Sequence, residues 1–241
     1  LTITIKQITT VSCILNIETS TETCSVAVAQ DGGIIFEKIN NEPNSHTKYL
    51  AKFVEEALSF AESHAIPLDT VAVSSGPGSY TGLRIGVSTA KGICYGKNVP
   101  LIAIPTLKLL CVKPLLSDDI EDENALLCPM IDARRMEAYT AIYDRALREV
   151  REVKAEVIDA TTYNEWLDKG LVYFFGNGAE KCKELINHPN ARFIDNVIPT
   201  AKSMLPLAEL AIAKGQYEDV AYFEPFYLKD FVAIKSKSPL A

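Results

Sequence analysis

A glycine-rich segment holds the residues of this sequence whose types and spacing are best suited to chemistry. It reads GPGSYTG at residues 76–82, between a strand-like apolar run at 70–74 and a helical pattern at 81–95. Glycine adopts backbone conformations that strain other residues, and a loop at a helix N-terminus presents free N–H groups to an anion. The segment therefore predicts either a phosphate-binding loop or a tight strand-to-helix turn. Local physics favours the turn, since a lone glycine loop is a weak signal and no Gly-Lys-Ser/Thr of a P-loop follows.

The helix after this loop is unusual because small residues recur along it. They are Gly82, Gly86, Ala90 and Gly92. A glycine inside a helix costs about 1 kcal/mol relative to alanine, so close approach of another backbone should offset it. Two interpretations stay open: packing against the chain's own sheet, or a helix–helix contact shared with the helix predicted at 45–65 and a second molecule.

Two polar turns are candidate ligand contacts. Glu18, Thr19 and Ser20 follow the first strand-like run, and Asp132 and Arg134 lie at the corresponding turn of the second half. Hydroxyl groups can meet a phosphate, but Thr and Ser are also ordinary turn residues, and an Asp beside arginines is more often a surface ion pair. The local patterns therefore favour structural roles.

Signals for catalysis and for metal binding are scarce. The three histidines, His46, His64 and His188, are far apart in sequence, and the six cysteines form no C-x-x-C pair. No G-x-S-x-G element is present either. We therefore predict no catalytic residue and no metal site.

The elements that must position these residues predict a two-lobed α/β protein. The first half follows the order β-β-β-α-β-α-β, and the second half repeats it less clearly, with helices predicted at 161–169, 179–186 and 201–214. We expect an extension at 1–11 (a start-site or expression artefact), a first lobe at 12–108, and a second lobe with a tail at 109–241. A cleft between two such lobes is a natural place for a nucleotide.

Composition narrows the range of partners. The chain has 241 residues, 48% of them hydrophobic and 23% charged, with a formal net charge of −7. An acidic chain repels phosphate backbones unless it concentrates cations on one face, and glutamates dilute the nearest basic cluster, at 145–154. We therefore expect no direct nucleic-acid binding by the chain alone. No secretory or membrane-spanning segment is recognisable, which predicts a cytoplasmic protein without membrane contact.

Four motifs resemble those of a known family. The runs ILNIETS at 14–20 and CSVAV at 24–28 resemble the N-terminal signature of the TsaB (YeaZ) family. SGPGSYTGLRIG at 75–86 is similar to its central motif, DARR at 132–135 to its second-lobe motif, and EPFYL at 224–228 to its terminal element. The resemblance runs from about residue 12 to residue 233.

This resemblance implies an actin/Hsp70-like ATPase (ASKHA) fold with two ribonuclease-H-like lobes, each of β-β-β-α-β-α type. It also implies a non-catalytic scaffold that activates its paralogue TsaD, joined by the ATPase TsaE. The complex transfers a threonylcarbamoyl group to the adenosine beside the anticodon of ANN-decoding tRNAs. On this view tRNA is reached only through the complex, and the chain forms a homodimer when alone. TsaD-type proteins carry a metal-binding H-x-x-x-H after the glycine-motif helix. The corresponding region of this chain, residues 102–108, contains no histidine. Metal-dependent transfer and glycoprotease activity are therefore not expected of this chain.

The resemblance and the motif positions give two sets of candidate site residues. A partner interface on the two helices is expected at Tyr49, Leu50, Phe53, Ala57, Gly82, Leu83, Gly86 and Ala90. A nucleotide, ATP or ADP, in the cleft or at the complex interface would lie near Glu18, Thr19, Ser20, Gly76, Gly78, Ser79, Tyr80, Asp132, Arg134, Gly176 and Gly178. The alternative functions are a weak cleft ATPase and a nucleotide-binding regulator.

Overall fold

The computed structural model describes residues 13–229 except 44, 118 and 121. The predicted extension at 1–11 and the end of the tail lie outside the described residues. The strands are β1 Cys13–Glu18, β2 Cys24–Gln30, β3 Gly33–Asn40, β4 Thr70–Gly76, β5 Leu101–Pro105, β6 Leu126–Asp132, β7 Glu137–Tyr143, β8 Glu149–Val157, β9 Val172–Phe175 and β10 Ala191–Ile194. The helices are α1 His46–Ser63, α2 Tyr80–Lys97, α3 Thr106–Leu116, α4 Asn164–Leu167 and α5 Leu205–Ala213, with 3₁₀ turns at Glu180–Cys182 and Lys202–Met204.

The strands form two five-stranded sheets with the same topology. The first sheet has the order β3-β2-β1-β4-β5, and the second has the order β8-β7-β6-β9-β10. In each sheet the central strand pairs antiparallel with the strand that follows it and parallel with the fourth strand. The predicted two-lobed α/β fold of the actin/Hsp70-like type is confirmed.

Strand β1 is central because both of its faces are covered. All six of its residues are buried. Leu15 and Ile17 pack toward α1 and α2, whereas Ile14 packs on the other face against α5. A strand that is buried on both faces is expected to have a nearly continuous run of apolar residues, and the sequence of β1 is such a run. Asn16 and Glu18, the two polar residues of this run that face α5, are therefore buried exceptions.

Two helices cross between the lobes. Helix α3 follows the first lobe, yet its Leu110 and Cys111 pack into the core of the second lobe. Helix α5 follows the second lobe and packs on the first sheet through Leu205 and Ala208. Beyond α5 the chain returns to the first lobe, where the Glu218 N–H donates to Leu101 O at 2.9 Å. The predicted boundary at 108/109 stays a prediction, but the chain after about residue 200 contacts the first lobe.

Two helix predictions in the second half were wrong in extent, a third matches the observed helical segment with a 3₁₀ first turn, and α3 was missed. The helix expected at 179–186 is a 3₁₀ turn at Glu180–Cys182, and the one expected at 161–169 is only α4. The one expected at 201–214 divides into a 3₁₀ turn and α5. Short helices are marginal without strong packing, so these segments settle into tighter turns. Helix α3 is buried on most sides and contains Pro114, so it lacks the amphipathic stripe by which a helix is recognised.

Among the described residues, no helix combines the length and the apolar character that crossing a membrane would require.

Candidate functional site

The turn at the end of β1 is held by a buried carboxyl group. Glu18 is fully buried, and its Oε1 accepts hydrogen bonds from the Ser20 N–H at 2.6 Å and from the Ser20 hydroxyl at 2.5 Å. Its Oε2 has no partner among the described residues. Burial raises the pKa of Glu18 to about 7, although the hydrogen bonds from Ser20 oppose the rise. The Glu18 carboxyl group thus accepts the hydrogen bonds of the N–H and hydroxyl donors of its own turn.

The glycine loop closes directly onto this turn. The Ser79 N–H donates to Ser20 O at 2.7 Å, and the Thr19 hydroxyl donates to Gly82 O at 2.8 Å. A Cβ on Gly78 would lie 2.3 Å from Ser20 O, and a Cβ on Gly82 would lie 2.1 Å from Thr19 O. Only glycine allows two backbones to approach this closely. The loop is therefore a tight strand-to-helix connection packed on the β1–β2 turn.

The same contact accounts for the small residues on the inner side of α2, whereas Gly92 lies in open space. A Cβ on Gly86 would lie 2.2 Å from the hydroxyl oxygen of Thr19, inside the first lobe. Gly82, Gly86 and Ala90 are all buried. The expectation that Gly82 and Gly86 admit helices of a partner is corrected, because the approaching group is the chain's own Thr19.

The start of α2 is fixed by its cap and by the C-terminal segment. The Ser79 hydroxyl oxygen accepts the Gly82 N–H at 3.2 Å, as an N-cap residue does. Gly76 has φ +109°, and a Cβ there would lie 2.6 Å from Phe226 O. The Phe226 N–H donates to Ser75 O at 2.7 Å, so the C-terminal segment runs along the loop. The N–H groups of Ser79 and Gly82 are thus both engaged within the chain.

The second lobe repeats this arrangement. The Gly178 N–H donates to Met130 O at 3.0 Å, and a Cβ on Gly176 would lie 2.3 Å from the same oxygen. The Asp132 N–H donates to Asn177 Oδ1 at 3.0 Å, and its carboxylate accepts from the Arg134 N–H at 3.0 Å. Asp132 forms an ion pair, but not the local one expected with the neighbouring arginines, because its partner is Lys181. No sequence pattern indicates Lys181, because it is distant along the chain.

Two adjoining cavities lie beside the loop at 176–178. One has a volume of about 270 Å³ and the other about 290 Å³, and Asn177, Val197 and Ile198 line both. The first also contacts Thr21 and Leu110, so it lies between the two lobes. The sequence interpretation missed Asn177, although it stands between two glycines that were singled out.

The predicted nucleotide contacts fall into two clusters that lie mostly beside these cavities. Glu18, Thr19 and Ser20 join the glycine loop in the first lobe, and Asp132 joins the loop at 176–178 in the second. Of the predicted set, only Gly176 lines a described cavity. In the first cluster the Ser20 donors bind Glu18. A nucleotide in the cleft stays a prediction, and a phosphate at the first-lobe turn would have to displace a carboxyl group.

The predicted partner residues face inward. The structure buries all of them except Tyr49, which is half-buried and stacks on Phe53 with ring centroids 5.7 Å apart. Leu50, Ala57, Leu83 and Ala90 are within 2% of complete burial. In this conformation they hold α1 and α2 on the sheet, so any partner must contact the outer sides of these helices.

The outer side of α2 has its own small residues. Ser88, Gly92 and Gly96 are exposed at four-residue spacing, and a Cβ on either glycine would meet no atom within 4 Å. Tyr95 beside them is 87% exposed. Lys91 donates to the carbonyl oxygens of residues 221 and 223 at 3.1 and 2.9 Å, which fixes the turn that carries the exposed Tyr222 next to this surface.

The described residues hold no group of three or more His, Cys, Asp or Glu side chains that could bind a metal ion. His46 is buried, with Nε2 at 3.3 Å from Thr23 O, and His64 contacts Phe60 O at 2.8 Å within one helical turn. All six cysteines are buried and free. Burial raises the pKa of Cys13, Cys24 and Cys128 to about 11, so these thiols stay protonated at neutral pH.

Comparisons with known proteins agree on one relationship. The family model of TsaD, tRNA N6-adenosine threonylcarbamoyltransferase, matches residues 17–236. The tRNA threonylcarbamoyladenosine biosynthesis protein TsaB of Escherichia coli is 30% identical over 230 residues, which are 92% of this chain and 96% of that protein. A tRNA N6-adenosine threonylcarbamoyltransferase of Fusobacterium nucleatum is 32% identical over 124 residues, 45% of this chain and 36% of that protein. The solved structure of YeaZ from Pseudomonas aeruginosa superposes with a TM-score of 0.77 and 25% identity, covering 90% of this chain and all of that one.

Proposed function

The chain belongs to the TsaB (YeaZ) family of tRNA threonylcarbamoyladenosine biosynthesis proteins, and we propose that it is the non-catalytic scaffold subunit that pairs with a TsaD paralogue. In this role it activates TsaD for transfer of a threonylcarbamoyl group to the adenosine beside the anticodon of ANN-decoding tRNAs. Both paralogues match one family model, so a pair of related lobes can meet through equivalent surfaces.

The observation that carries this proposal is the outer side of α2. Gly92 and Gly96 leave the helix backbone open to close approach, and each glycine inside an exposed helix costs about 1 kcal/mol with no compensating contact inside the chain. Tyr95 adds a large exposed ring, of a type enriched at protein interfaces. A partner helix packed here would offset the cost of the glycines and cover the ring.

A supporting role rather than a catalytic one fits the first-lobe turn. In an enzyme that acts on phosphate groups, N–H and hydroxyl donors at such a turn face the substrate. Here the Ser20 donors bind the buried Glu18 carboxyl group, and Ser79 binds Ser20. The chain therefore acts by holding TsaD, with the ATPase TsaE joining the pair in the cytoplasm, and forms a homodimer through the outer side of α2 when TsaD is absent.

We propose, as a second function, that the chain binds a nucleotide in the cavity beside Gly176. The cavity beside Gly176 and Asn177 measures about 290 Å³ and includes Lys183. The Lys183 Nζ binds Asp195 at 2.5 Å and Glu180 at 2.8 Å, so the phosphates of a nucleotide would have to displace these carboxylates. ATP or ADP bound there would act as a regulator. Calorimetric titration of the isolated chain with ADP tests this, and absence of binding up to millimolar concentration would exclude it.

The scaffold proposal is tested by Gly92→Leu. Leucine is the better helix former by nearly 1 kcal/mol and its Cβ meets nothing in the chain, so the isolated protein should keep or raise its melting temperature. The added side chain should nevertheless abolish co-elution with TsaD in size-exclusion chromatography with light scattering.

Two matched variants control this test. Gly92→Ala changes helix propensity with little added bulk, and Gly170→Leu adds the same side chain at another open glycine far along the chain. Both should bind TsaD as the wild type does. Normal TsaD binding by a folded Gly92→Leu protein would contradict the proposed interface.

A further inference from the structure

Cations that are far apart in the sequence converge on one surface at the mouth of the cleft. We call this surface the contact strip and define it by Arg84, Tyr227, Lys229, Tyr139, Arg134 and Arg135. It crosses from α2 of the first lobe to β7 and its preceding loop in the second lobe, and the C-terminal segment forms its middle.

The first-lobe half of the contact strip alternates rings and a guanidinium group. The Arg84 Cζ lies 5.4 Å from the centroid of the Tyr80 ring, and that ring lies 4.8 Å from the ring of Tyr227. Arg84 also donates to the Tyr80 hydroxyl at 3.3 Å and makes no ion pair among the described residues. Its positive charge is thus exposed beside two aromatic rings whose planes are tilted by 39°.

The second-lobe half is joined to the first through Lys229. Two residues after Tyr227, Lys229 binds the carboxylate of Glu137 at the start of β7. Tyr139 lies two residues after Glu137 on β7. Burial and the charge of Glu137 raise the pKa of Tyr139, while the charges of Lys229 and Arg134 lower it, so each of these three charged side chains lies within electrostatic reach of Tyr139. The contact strip is therefore continuous across the two lobes.

The loop that carries the two remaining arginines is held in shape. Arg134 and Arg135 have φ of 70° and 52°, a left-handed conformation that costs energy in residues other than glycine. Two hydrogen bonds offset this conformational cost: the Lys181 Nζ donates to Arg135 O at 2.8 Å and to Glu137 O at 2.7 Å. Both arginine side chains are exposed, and neither forms an ion pair within the described part of the chain.

The charge balance of this surface is opposite to that of the chain. Among residues 13–229 that the structure describes, its carboxylates are Asp132 and Glu137, each bound to a lysine, and Glu224, whose charge raises the pKa of Tyr227. Those lysines offset their partners, so the arginines carry the unneutralised charge. A protein of net charge −7 thus concentrates cations on one face, the condition under which an acidic chain can attract phosphate.

We propose that the contact strip binds an unpaired segment of RNA, with Arg84, Arg134 and Arg135 on phosphates and the rings of Tyr227 and Tyr139 beside bases. Cations interleaved with aromatic rings are the arrangement that proteins use for single strands, because phosphates pair with the cations and any base can stack on a ring. An acidic protein segment would use the cations but would gain less from the rings. This inference departs from the expectation that tRNA is reached only through the complex. The choice of tRNA as the natural ligand rests on the proposed function, whereas RNA binding by the isolated chain does not.

The test measures fluorescence anisotropy of a labelled tRNA anticodon stem-loop with the full isolated chain at several KCl concentrations. The double variant Arg134→Gln/Arg135→Gln should weaken binding and reduce the slope of log K against log[KCl] by about 1.4, because each phosphate that is no longer neutralised lowers the slope by about 0.7. Tyr227→Leu should weaken binding roughly fivefold or more at unchanged slope, because the variant removes stacking and keeps the charge.

The control variant Arg148→Gln/Lys169→Gln removes two exposed cations from the second lobe with the same change in net charge. It should bind RNA as the wild type does. The inference would be overturned if the arginine double variant and the control variant bound the RNA with equal affinity. It would also be overturned if the wild type showed no RNA binding at 100 mM KCl, or binding that did not change with KCl concentration. If poly-glutamate displaced the RNA and Tyr227→Leu bound RNA as tightly as the wild type, the surface would instead be assigned to an acidic protein. Loss of RNA binding by Arg134→Gln/Arg135→Gln with unchanged TsaD binding supports the inference and leaves the scaffold proposal untouched. Normal TsaD binding by Gly92→Leu refutes only the scaffold interface.

Discussion

The buried carboxyl group of Glu18 gives the most quantitative prediction. Its pKa is raised from an ordinary value of 4.5 to about 7 by burial, so the folded protein binds a proton more tightly than the unfolded chain does. A group of this kind contributes its full stability below pH 4.5 and loses that contribution as the pH rises through about 7. The change Glu18→Gln keeps the shape and an acceptor oxygen for Ser20 but removes the titration.

The magnitude follows from the pKa difference. A rise from 4.5 to about 7, at about 1.36 kcal/mol per pKa unit, corresponds to roughly 3 kcal/mol. The free energy of unfolding of Glu18→Gln, relative to the wild type, should therefore increase by about this amount between pH 4.5 and pH 8. Above pH 8 the difference should stay constant, because the buried carboxylate is then fully ionised.

The assay is urea unfolding followed by the fluorescence of Trp166, the one tryptophan of the chain, at pH 4.5, 6, 7 and 8. Glu165→Gln is the control, since that carboxylate is exposed and pairs with Lys169 at 3.2 Å. Its effect should stay within about 0.5 kcal/mol at each pH. A Glu18→Gln effect that does not change with pH, or that shrinks as pH rises, would refute the reasoning.

Two further changes test the packing of the glycine loop by thermal and urea unfolding. Gly86→Ala should destabilise the protein by about 1–3 kcal/mol because the added methyl group overpacks against Thr19, although alanine is the better helix former. A Gly86→Ala protein more stable than the wild type would contradict the close approach of Thr19 to α2. Ser79→Ala should lower stability by about 1 kcal/mol through loss of the N-cap, and an unchanged value would show that the Gly82 N–H finds another acceptor.

The sequence predicts most of the frame that positions the site. Strands β1 to β5 follow from short apolar runs and turn residues, and the glycine segment correctly marks the start of α2. Helix α3 escapes prediction because burial on most sides removes the periodic contrast between apolar and polar residues.

The site is harder to predict because its contacts are long-range. Helical spacing places Gly86 and Gly92 on different sides of α2, but it does not show that Thr19 fills the space beside Gly86 while the space beside Gly92 is open. The path from Arg84 through Tyr227 to Lys229 and Glu137 depends on how the C-terminal segment joins the two lobes. No local pattern shows that the Glu18 side chain turns back onto Ser20.

The most direct test of the central claim is a reconstituted tRNA modification reaction with TsaD, TsaE and an enzyme that supplies threonylcarbamoyl-AMP. Modified tRNA should form when the wild-type chain or Gly92→Ala is added, and should not form when the chain is omitted or replaced by Gly92→Leu. The chain alone should give no product. Full activity without the chain, or with folded Gly92→Leu, would contradict the account.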